Sequence, residues 1–234
     1  MSAGPTALDL LTRGSITVKG RMPWSSNATF LVELILEDAS ALGVYKPMRG
    51  ERPLWDFPPG LFRREIAAYH LSEALGWGLV PPTVERDGPF GEGSLQRFVP
   101  ADFEQHYFTL IERAEHHDRL RQICAFDLLA NNADRKSGHC LLGQDGVIHA
   151  IDNALCFGAE PKLRTVIWEF AGQPMPADLL EDVTRFLAAG PPERLAALLG
   201  PAEQEALLAR ARALVSDGRF PVQSGDRDYP WPLV

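Results

Sequence analysis

Strand-like and turn-like segments alternate between Gly14 and Pro100, and this alternation is the feature that most constrains the fold. The segments SITVKGRM, TFLVELIL and ALGVYKP have the composition of strands, and WSSNA and EDAS between them are typical of turns. They predict an antiparallel three-stranded meander. Two further strands are predicted at PPTVERDG and GSLQRFVP. One helix is predicted before these two strands, at REIAAYHLSEALGWG, from apolar residues at helical spacing.

Beyond Pro100 the pattern becomes mainly helical. Apolar spacing predicts a helix within residues 102–130 and two core-facing helices at ADLLEDVTRFLAAG and PAEQEALLARARALVS. The segment HCLLGQDGVIHAID predicts a short hairpin with a tight turn at Asp145–Gly146. The fold class is therefore α+β with two lobes. Its predicted parts are an extension over residues 1–14, a sheet lobe over 15–100, a compact helical lobe over 101–216 and a Pro-rich, extended or loosely ordered tail over 217–234.

Composition argues against several classes of protein. Three cysteines without a CxxC pair favour neither a disulfide framework nor a thiolate zinc site, so a reducing, cytoplasmic location is expected. The sequence has no basic leader and no apolar run of about 18 residues, the length that a membrane-spanning helix needs. A net charge of −8 repels nucleic acid and anionic membranes. We therefore expect neither nucleic-acid binding nor stable membrane association.

Two aspartates flank the predicted hairpin, Asp134 in NNADRKSGHCLL and Asp152 in VIHAIDNALCFG. Because a hairpin brings its two ends together, these carboxylates are expected to converge. Phosphoryl transfer needs such a pair: one Asp near the attacking hydroxyl and another that holds the Mg²⁺ bridging the ATP phosphates. The alternative is that each aspartate only caps a turn, which is the commoner role of a single loop aspartate.

The segments NADR (residues 132–135) and IDNAL (residues 151–155) resemble the phosphatidylinositol 3- and 4-kinase superfamily. The resemblance is closest to the type II phosphatidylinositol 4-kinases, within a bacterial atypical kinase branch, and more distant to HipA-like kinases. It implies a two-lobed, atypical protein-kinase-like fold with ATP between the lobes. By this resemblance Asp134 is the catalytic-loop aspartate and Asp152 is the metal-binding aspartate.

The same resemblance extends upstream to one lysine and one glutamate. Lys46 in VYKP occupies the position of the lysine that contacts the ATP phosphates, a task suited to a compact ammonium group. Glu65 corresponds to the helix glutamate that holds this lysine in place. The alternatives are an ordinary exposed strand lysine and a first-turn acid stabilised by the helix dipole.

Two further parts of the ATP site are implied with weaker motifs. Ser25, Ser26 and Asn27 lie where the family places its phosphate-covering loop, although no GxGxxG or Walker motif is present and a plain hairpin loop is the alternative. Phe98 and Val99 lie at the implied hinge, where backbone groups bond adenine. Backbone recognition leaves little signature in the side chains.

His139 departs from the family pattern. The family has Asn five residues after the catalytic aspartate, as a second magnesium ligand, and this chain has His139 there. Magnesium prefers oxygen ligands, so the histidine is consistent with a phosphate contact, with a preference for Mn²⁺, or with altered or absent catalysis. A core or turn histidine is a further alternative. Arg135, beside Asp134, is expected to neutralise the transferring phosphate.

The predicted function is ATP-dependent transfer of a phosphoryl group to a hydroxyl of a protein or a small soluble molecule. Lys46 and Mg²⁺, or Mn²⁺, hold the phosphates, Asp152 binds the metal and Asp134 orients the acceptor hydroxyl. A phosphoinositide acceptor is disfavoured by the acidic composition and by the missing cysteine-rich palmitoylated segment. Two alternatives stay open: a nucleotide-binding pseudokinase or sensor without transfer activity, and an AMP transferase.

Overall fold

The strand-like segments of the first lobe form one sheet. The computed structural model describes residues 4–23, 25, 27–223, 225 and 228–233. The strands of the first lobe are β1 (Ser15–Arg21), β2 (Phe30–Leu36), β3 (Ala39–Pro47), β4 (Thr83–Gly88) and β5 (Gly91–Arg97). They pair antiparallel in the order β1-β2-β3-β5-β4, which confirms the predicted meander and the two added strands. β3 is therefore central, and Lys46 near its end pairs with Ser94 of β5.

One face of the sheet is covered by a helix that we did not predict. Helix α1 (Ala7–Arg13) forms within the expected N-terminal extension. The Thr6 side chain accepts a hydrogen bond from the Asp9 amide and Asp9 bonds back to Thr6, a capping box that starts the helix. Leu10 and Leu11 of α1 pack into a buried cluster with the sheet. A seven-residue helix gains its stability from this contact rather than from its own length.

Helix α2 (Leu61–Ala74) confirms the helix that the apolar spacing predicts, and it lies between the sheet and the second lobe. Ala67 and Leu71 are fully buried in the main core. Arg64 donates to the carbonyl of Cys156 and forms an ion pair with Glu203 of the second lobe. Helix α2 is thus fixed to the second lobe by packing and by charge.

The second lobe is mainly helical, as predicted. Its helices are α3 (Tyr107–Leu110), α4 (His117–Ala130), α5 (Ala177–Ala189), α6 (Glu193–Ala196) and α7 (Pro201–Asp217), and its hairpin strands are β6 (Cys140–Leu142) and β7 (Ile148–Ala150). The hairpin turn has Gly146 at φ 77°, as the predicted tight turn requires. The helix expected within residues 102–130 is interrupted. The His117 ring lies 2.8 Å from the Ile111 carbonyl oxygen, and Arg113 between them is extended.

Parts of the C-terminal tail pack against the second lobe, whereas we expected an extended or loosely ordered end. Phe220 is buried against Phe170, with ring centroids 5.9 Å apart. Further on, Pro230 is buried and Leu233 packs against the main core. Among the helices that the structure describes, none is long and apolar enough to cross a membrane.

Candidate active site

Lys46, Glu65 and Asp152 meet in the cleft between the lobes. The Lys46 ammonium forms an ion pair with Glu65 and lies 2.7 Å from Asp152 Oδ1. Glu65 is almost fully buried, and its second oxygen accepts a hydrogen bond of 2.9 Å from the Asn153 amide. Glu65 of α2 is therefore tied both to β3 and to the segment that follows the hairpin. These three residues are far apart along the chain and adjacent in the structure.

Lys46 and Asp152 stabilise each other's charge, whereas burial, with a smaller contribution from Asp152, raises the pKa of Glu65. Burial lowers the pKa of Lys46, but the charges of Asp152 and Glu65 outweigh it and hold that pKa above its ordinary value. Lys46 in turn lowers the pKa of Asp152, against the effect of burial and with help from His139 and Lys136. Asp152 has a left-handed backbone with φ 56°, a conformation that Asp tolerates better than most residues. At neutral pH the cleft thus contains a charged ammonium and an ionised carboxylate.

Asp134 lies in the loop after α4. That helix ends at Asn131, which is left-handed with φ 51°, and the Asp134 amide donates a hydrogen bond of 3.0 Å to Asn132 Oδ1. Lys136 Nζ lies 3.5 Å from Asp134 Oδ2. Burial, opposed by Lys136 and reinforced by Asp152, raises the pKa of Asp134 to about 6. A carboxylate with this pKa can accept a proton near neutral pH.

His139 connects the two aspartates. Its Nδ1 lies 3.0 Å from the Asp134 carbonyl oxygen, and its Nε2 lies 3.3 Å from Asp152 Oδ2. Burial lowers the pKa of His139 to about 4, although Asp152 opposes this, so the ring is neutral at pH 7. When Nδ1–H donates to the carbonyl, Nε2 presents a lone pair beside the Asp152 carboxylate.

This pair of donors fits a divalent cation. Asp152 supplies an ionised carboxylate and His139 a neutral imidazole nitrogen, while nucleotide phosphates and water would complete the coordination. Within the described ranges, no group of three or more His, Cys, Asp and Glu side chains could hold a metal by itself. Imidazole suits transition metals such as Mn²⁺ better than it suits Mg²⁺.

Arg135 does not lie where we expected it. Its side chain is 0% exposed and forms an ion pair of 2.9 Å with Asp127, whose side chain is also 0% exposed. It further donates to Asn153 Oδ1 at 2.6 Å and to the Ile151 carbonyl at 2.7 Å. Arg135 therefore joins the catalytic loop to the segment around Asp152 and is not placed to reach a phosphate. Its neighbour Lys136, which we had not singled out, has its ammonium beside Asp134.

The phosphate-covering loop is only partly described. Asn27 Oδ1 accepts a hydrogen bond of 2.9 Å from the Arg52 amide, so its carbonyl oxygen anchors the loop to the segment after β3. Ser26 lies outside the described residues. Within the described part of the chain, Ser25 makes no hydrogen bond. Of the loop residues that the structure describes, none forms a hydrogen bond or ion pair with the Lys46 ammonium.

The two residues of the expected hinge differ in whether the backbone amide already has a hydrogen-bond partner. The Phe98 amide donates a hydrogen bond of 3.1 Å to the Leu42 carbonyl and so continues the pairing of the sheet. The expected adenine contact therefore cannot use this amide. Val99 is 5% exposed, and its amide has no hydrogen-bond partner among residues that the structure describes. The following carbonyl, of Pro100, accepts a bond of 2.9 Å from the Gln144 amide.

A solved structure supports this two-lobed, kinase-like fold. The structure of hydra Fam20 with sugar superposes with a TM-score of 0.59 at 17% sequence identity, over 91% of this chain and 88% of that chain. The Helicobacter pylori proinflammatory kinase CtkA has a TM-score of 0.49 at 14% identity, over 89% of this chain and 94% of that chain. No protein-family model matches the sequence.

A curated protein is much closer in sequence. Protein Rv2133c of Mycobacterium tuberculosis (strain ATCC 25618 / H37Rv) is 42% identical in an alignment of 260 positions, which covers 95% of this chain and 94% of that protein. Similarity of this extent over nearly the whole of both chains shows common family membership. The chain therefore belongs to the same protein family as Rv2133c.

Proposed function

We propose that this protein is an ATP-dependent phosphotransferase of the phosphatidylinositol 3-/4-kinase-like type. The observation that carries the proposal is the ion-pair group of Lys46, Glu65 and Asp152, with Asp134 connected to it through His139. Phosphoryl transfer needs a fixed cation for the phosphates, a metal-binding carboxylate and a second carboxylate for the acceptor. The acceptor is a hydroxyl of a protein or of a small soluble molecule.

Each residue has a role that follows from its position. Lys46, held by Glu65, binds the phosphate oxygens of ATP as a point charge. Asp152 and His139 would hold a divalent cation, which neutralises charge on the phosphates when it is bound. Asp134 accepts the proton of the acceptor hydroxyl as the new O–P bond forms and the bond between the γ-phosphorus and the ADP oxygen breaks. Lys136 offsets negative charge next to Asp134.

The first test is the thermal shift that ATP with Mg²⁺ or Mn²⁺ produces. A ligand that binds the native state raises its melting temperature, and at a ligand concentration about 100 times Kd the stabilisation is about 2.7 kcal/mol. We expect this shift for the wild type and its loss for Asp152→Ala. Asp118→Ala is the matched control, because the Asp118 carboxylate on α4 is 97% exposed and its ion pair with Arg121 lies at the surface, outside the cleft. Absence of any shift for the wild type with either metal would refute the ATP site.

Transfer itself is then followed by the mass of the product. Incubation with ATP and candidate acceptors, including the protein itself, is expected to add one phosphoryl group to the acceptor. Addition of an AMP group instead would identify AMP transfer. Nucleotide binding without any product would support the second candidate, a nucleotide-sensing pseudokinase, for which the motive is the imidazole of His139 beside Asp152 where the family has an asparagine oxygen.

A histidine-to-asparagine change tests the metal assignment. His139→Asn replaces an imidazole nitrogen by an amide oxygen, a harder ligand, so we expect the preference of the ATP complex to move from Mn²⁺ towards Mg²⁺ by about tenfold. The measurement is the apparent Kd for ATP with each metal. His116→Asn, in the turn before α4, is the control. An unchanged ratio of the two Kd values would remove His139 from the metal site.

A further inference from the structure

Residues 228–233, the C-terminal segment, lie against the backbone that surrounds the catalytic loop. The Thr165 amide donates a hydrogen bond of 3.0 Å to the Asp228 carbonyl, and the Ser137 amide donates one of 2.8 Å to the Leu233 carbonyl. Between these bonds Pro230 is buried, and Leu233 packs against the main core. The segment is thus anchored near both ends and in its middle.

The stretch around Thr165 is itself paired with the catalytic loop. The Arg164 amide donates to the Asn132 carbonyl at 2.8 Å, and the Arg135 amide donates to the Arg164 carbonyl at 3.0 Å. The Val166 amide then donates to the Arg135 carbonyl at 3.1 Å. These bonds are made on both sides of Asp134. The catalytic loop, residues 164–166 and the C-terminal segment therefore form three successive layers of backbone.

The chain after α7 leads the C-terminal segment to this position. Arg219 forms an antiparallel bridge with Pro174, and the Phe220 amide donates to the Gln173 carbonyl at 3.0 Å. Phe220 is 2% exposed. The tail is thus already tied to the second lobe well before residue 228.

Ser137 depends on this arrangement more than any other residue of the loop. Its side chain is fully buried, and its amide, which donates to Leu233, is the first of the 3-10 turn Ser137–His139. A buried amide that loses its acceptor costs about 1–3 kcal/mol, so Ser137 would move towards water if the C-terminal segment left. His139, at the other end of the same short turn, bridges the Asp134 carbonyl and Asp152.

We propose that the C-terminal segment is a positioning element of the catalytic loop: it fixes Ser137 and, through the turn Ser137–His139, the placement of His139 and Asp134. The consequence for catalysis rests on the proposed phosphotransfer. The structural part of the inference does not, because it concerns only which backbone holds the loop.

Two variants remove this support in different ways. A chain that ends at Val222 lacks the whole segment. Ser137→Pro removes only the amide hydrogen that the Leu233 carbonyl accepts. Proline fits at this position for two reasons: Lys136 before it is extended, with φ −86° and ψ 165°, and the first residue of a helical turn accommodates proline. Ser137→Ala keeps the amide and loses only a hydroxyl that has no partner among the described residues. Trp231→Ala changes a side chain of the segment that is 86% exposed.

Hydrogen exchange measured by mass spectrometry tests the structural part. We expect exchange over residues 132–139 to be about tenfold faster in both disruptive variants, because the hydrogen bond from Ser137 to Leu233 is lost in each. Exchange over residues 164–167 should be faster in the shortened chain, which also loses the bond from Thr165 to Asp228. Exchange in α4 should stay as in the wild type, and both control variants should behave as the wild type does. Unchanged exchange over residues 132–139 in Ser137→Pro would overturn the inference, even if the shortened chain fails to fold.

Kinetics tests the catalytic part. In both disruptive variants kcat is expected to fall, because Asp134 lies in the released stretch. The ATP-induced thermal shift should become smaller as His139 moves but should not disappear, because Lys46 and Asp152 lie outside that stretch. A rise of KM alone would contradict a positioning role. If the wild type shows neither ATP binding nor transfer, the proposed phosphotransfer fails, and the hydrogen-exchange result still decides whether the segment holds the loop.

Discussion

Asp134→Asn is expected to lower the rate of phosphoryl transfer by about 10²–10⁴-fold, the usual contribution of a general base. Asparagine keeps the shape of the side chain but cannot accept the hydroxyl proton. The ATP-induced thermal shift should remain, because Lys46 and Asp152 are untouched. The measurement is the initial rate at saturating ATP. A rate within a few fold of the wild type would remove Asp134 from the reaction.

The pH dependence of the wild type gives an independent check on the same residue. The pKa of Asp134 is raised to about 6, chiefly by burial. A base acts when it is ionised, so kcat/KM should fall as the pH drops below about 6 and level off above it. Lys136→Met removes the nearest positive charge, which lowers this pKa in the wild type, and should therefore move the fall in rate to higher pH. A profile that is flat between pH 5 and 7 would contradict the role of Asp134.

Asp127→Ala is expected to destabilise the fold by about 3–5 kcal/mol, which is the usual cost of breaking a buried ion pair by removing one partner. Arg135 would then keep a buried charge without its carboxylate, since both side chains are 0% exposed. Asn132 would also lose its 3.0 Å hydrogen bond to Asp127 Oδ1. Urea unfolding followed by circular dichroism measures the change.

A double variant distinguishes the loss of stability caused by an unpaired charge from the loss caused by a smaller side chain. Asp127→Leu with Arg135→Met replaces both charges by apolar side chains and should recover part of the lost stability, because no unpaired charge remains. Asp118→Ala on the same helix is the control and should change the free energy of unfolding by less than about 0.5 kcal/mol. A loss below about 1 kcal/mol in Asp127→Ala would show that Arg135 finds another partner.

The sequence predicts well those features that repeat along the chain or keep a fixed order. The strands of the first lobe follow from their composition and the turns between them, and the fold class is confirmed. The family resemblance implies that Glu65 holds Lys46 and that Asp152 lies in the same site, and the structure places all three side chains together. The roles assigned to them remain predictions.

Other features depend on contacts that no local pattern encodes. Arg135 and Lys136 are adjacent and both basic, and only the course of the loop buries one while it leaves the other beside Asp134. The hinge amide of Phe98 is used because Leu42 lies opposite, on another strand. The packed tail was missed for the same reason. Its Pro-rich, polar composition is typical of a loose end, and its partners are distant in sequence.

The attachment of Arg64 to both Cys156 and Glu203 has a consequence for control of the protein. Many regulated enzymes are inactive because a helix that carries an active-site residue is displaced outward until a signal returns it. In this chain Arg64, one residue before Glu65, is bonded to the second lobe. An outward displacement of α2 would leave the nearly buried guanidinium of Arg64 without these partners. The ion pair between Lys46 and Glu65 is present in the chain by itself. Any regulator that displaced α2 would therefore have to break the Arg64 contacts first.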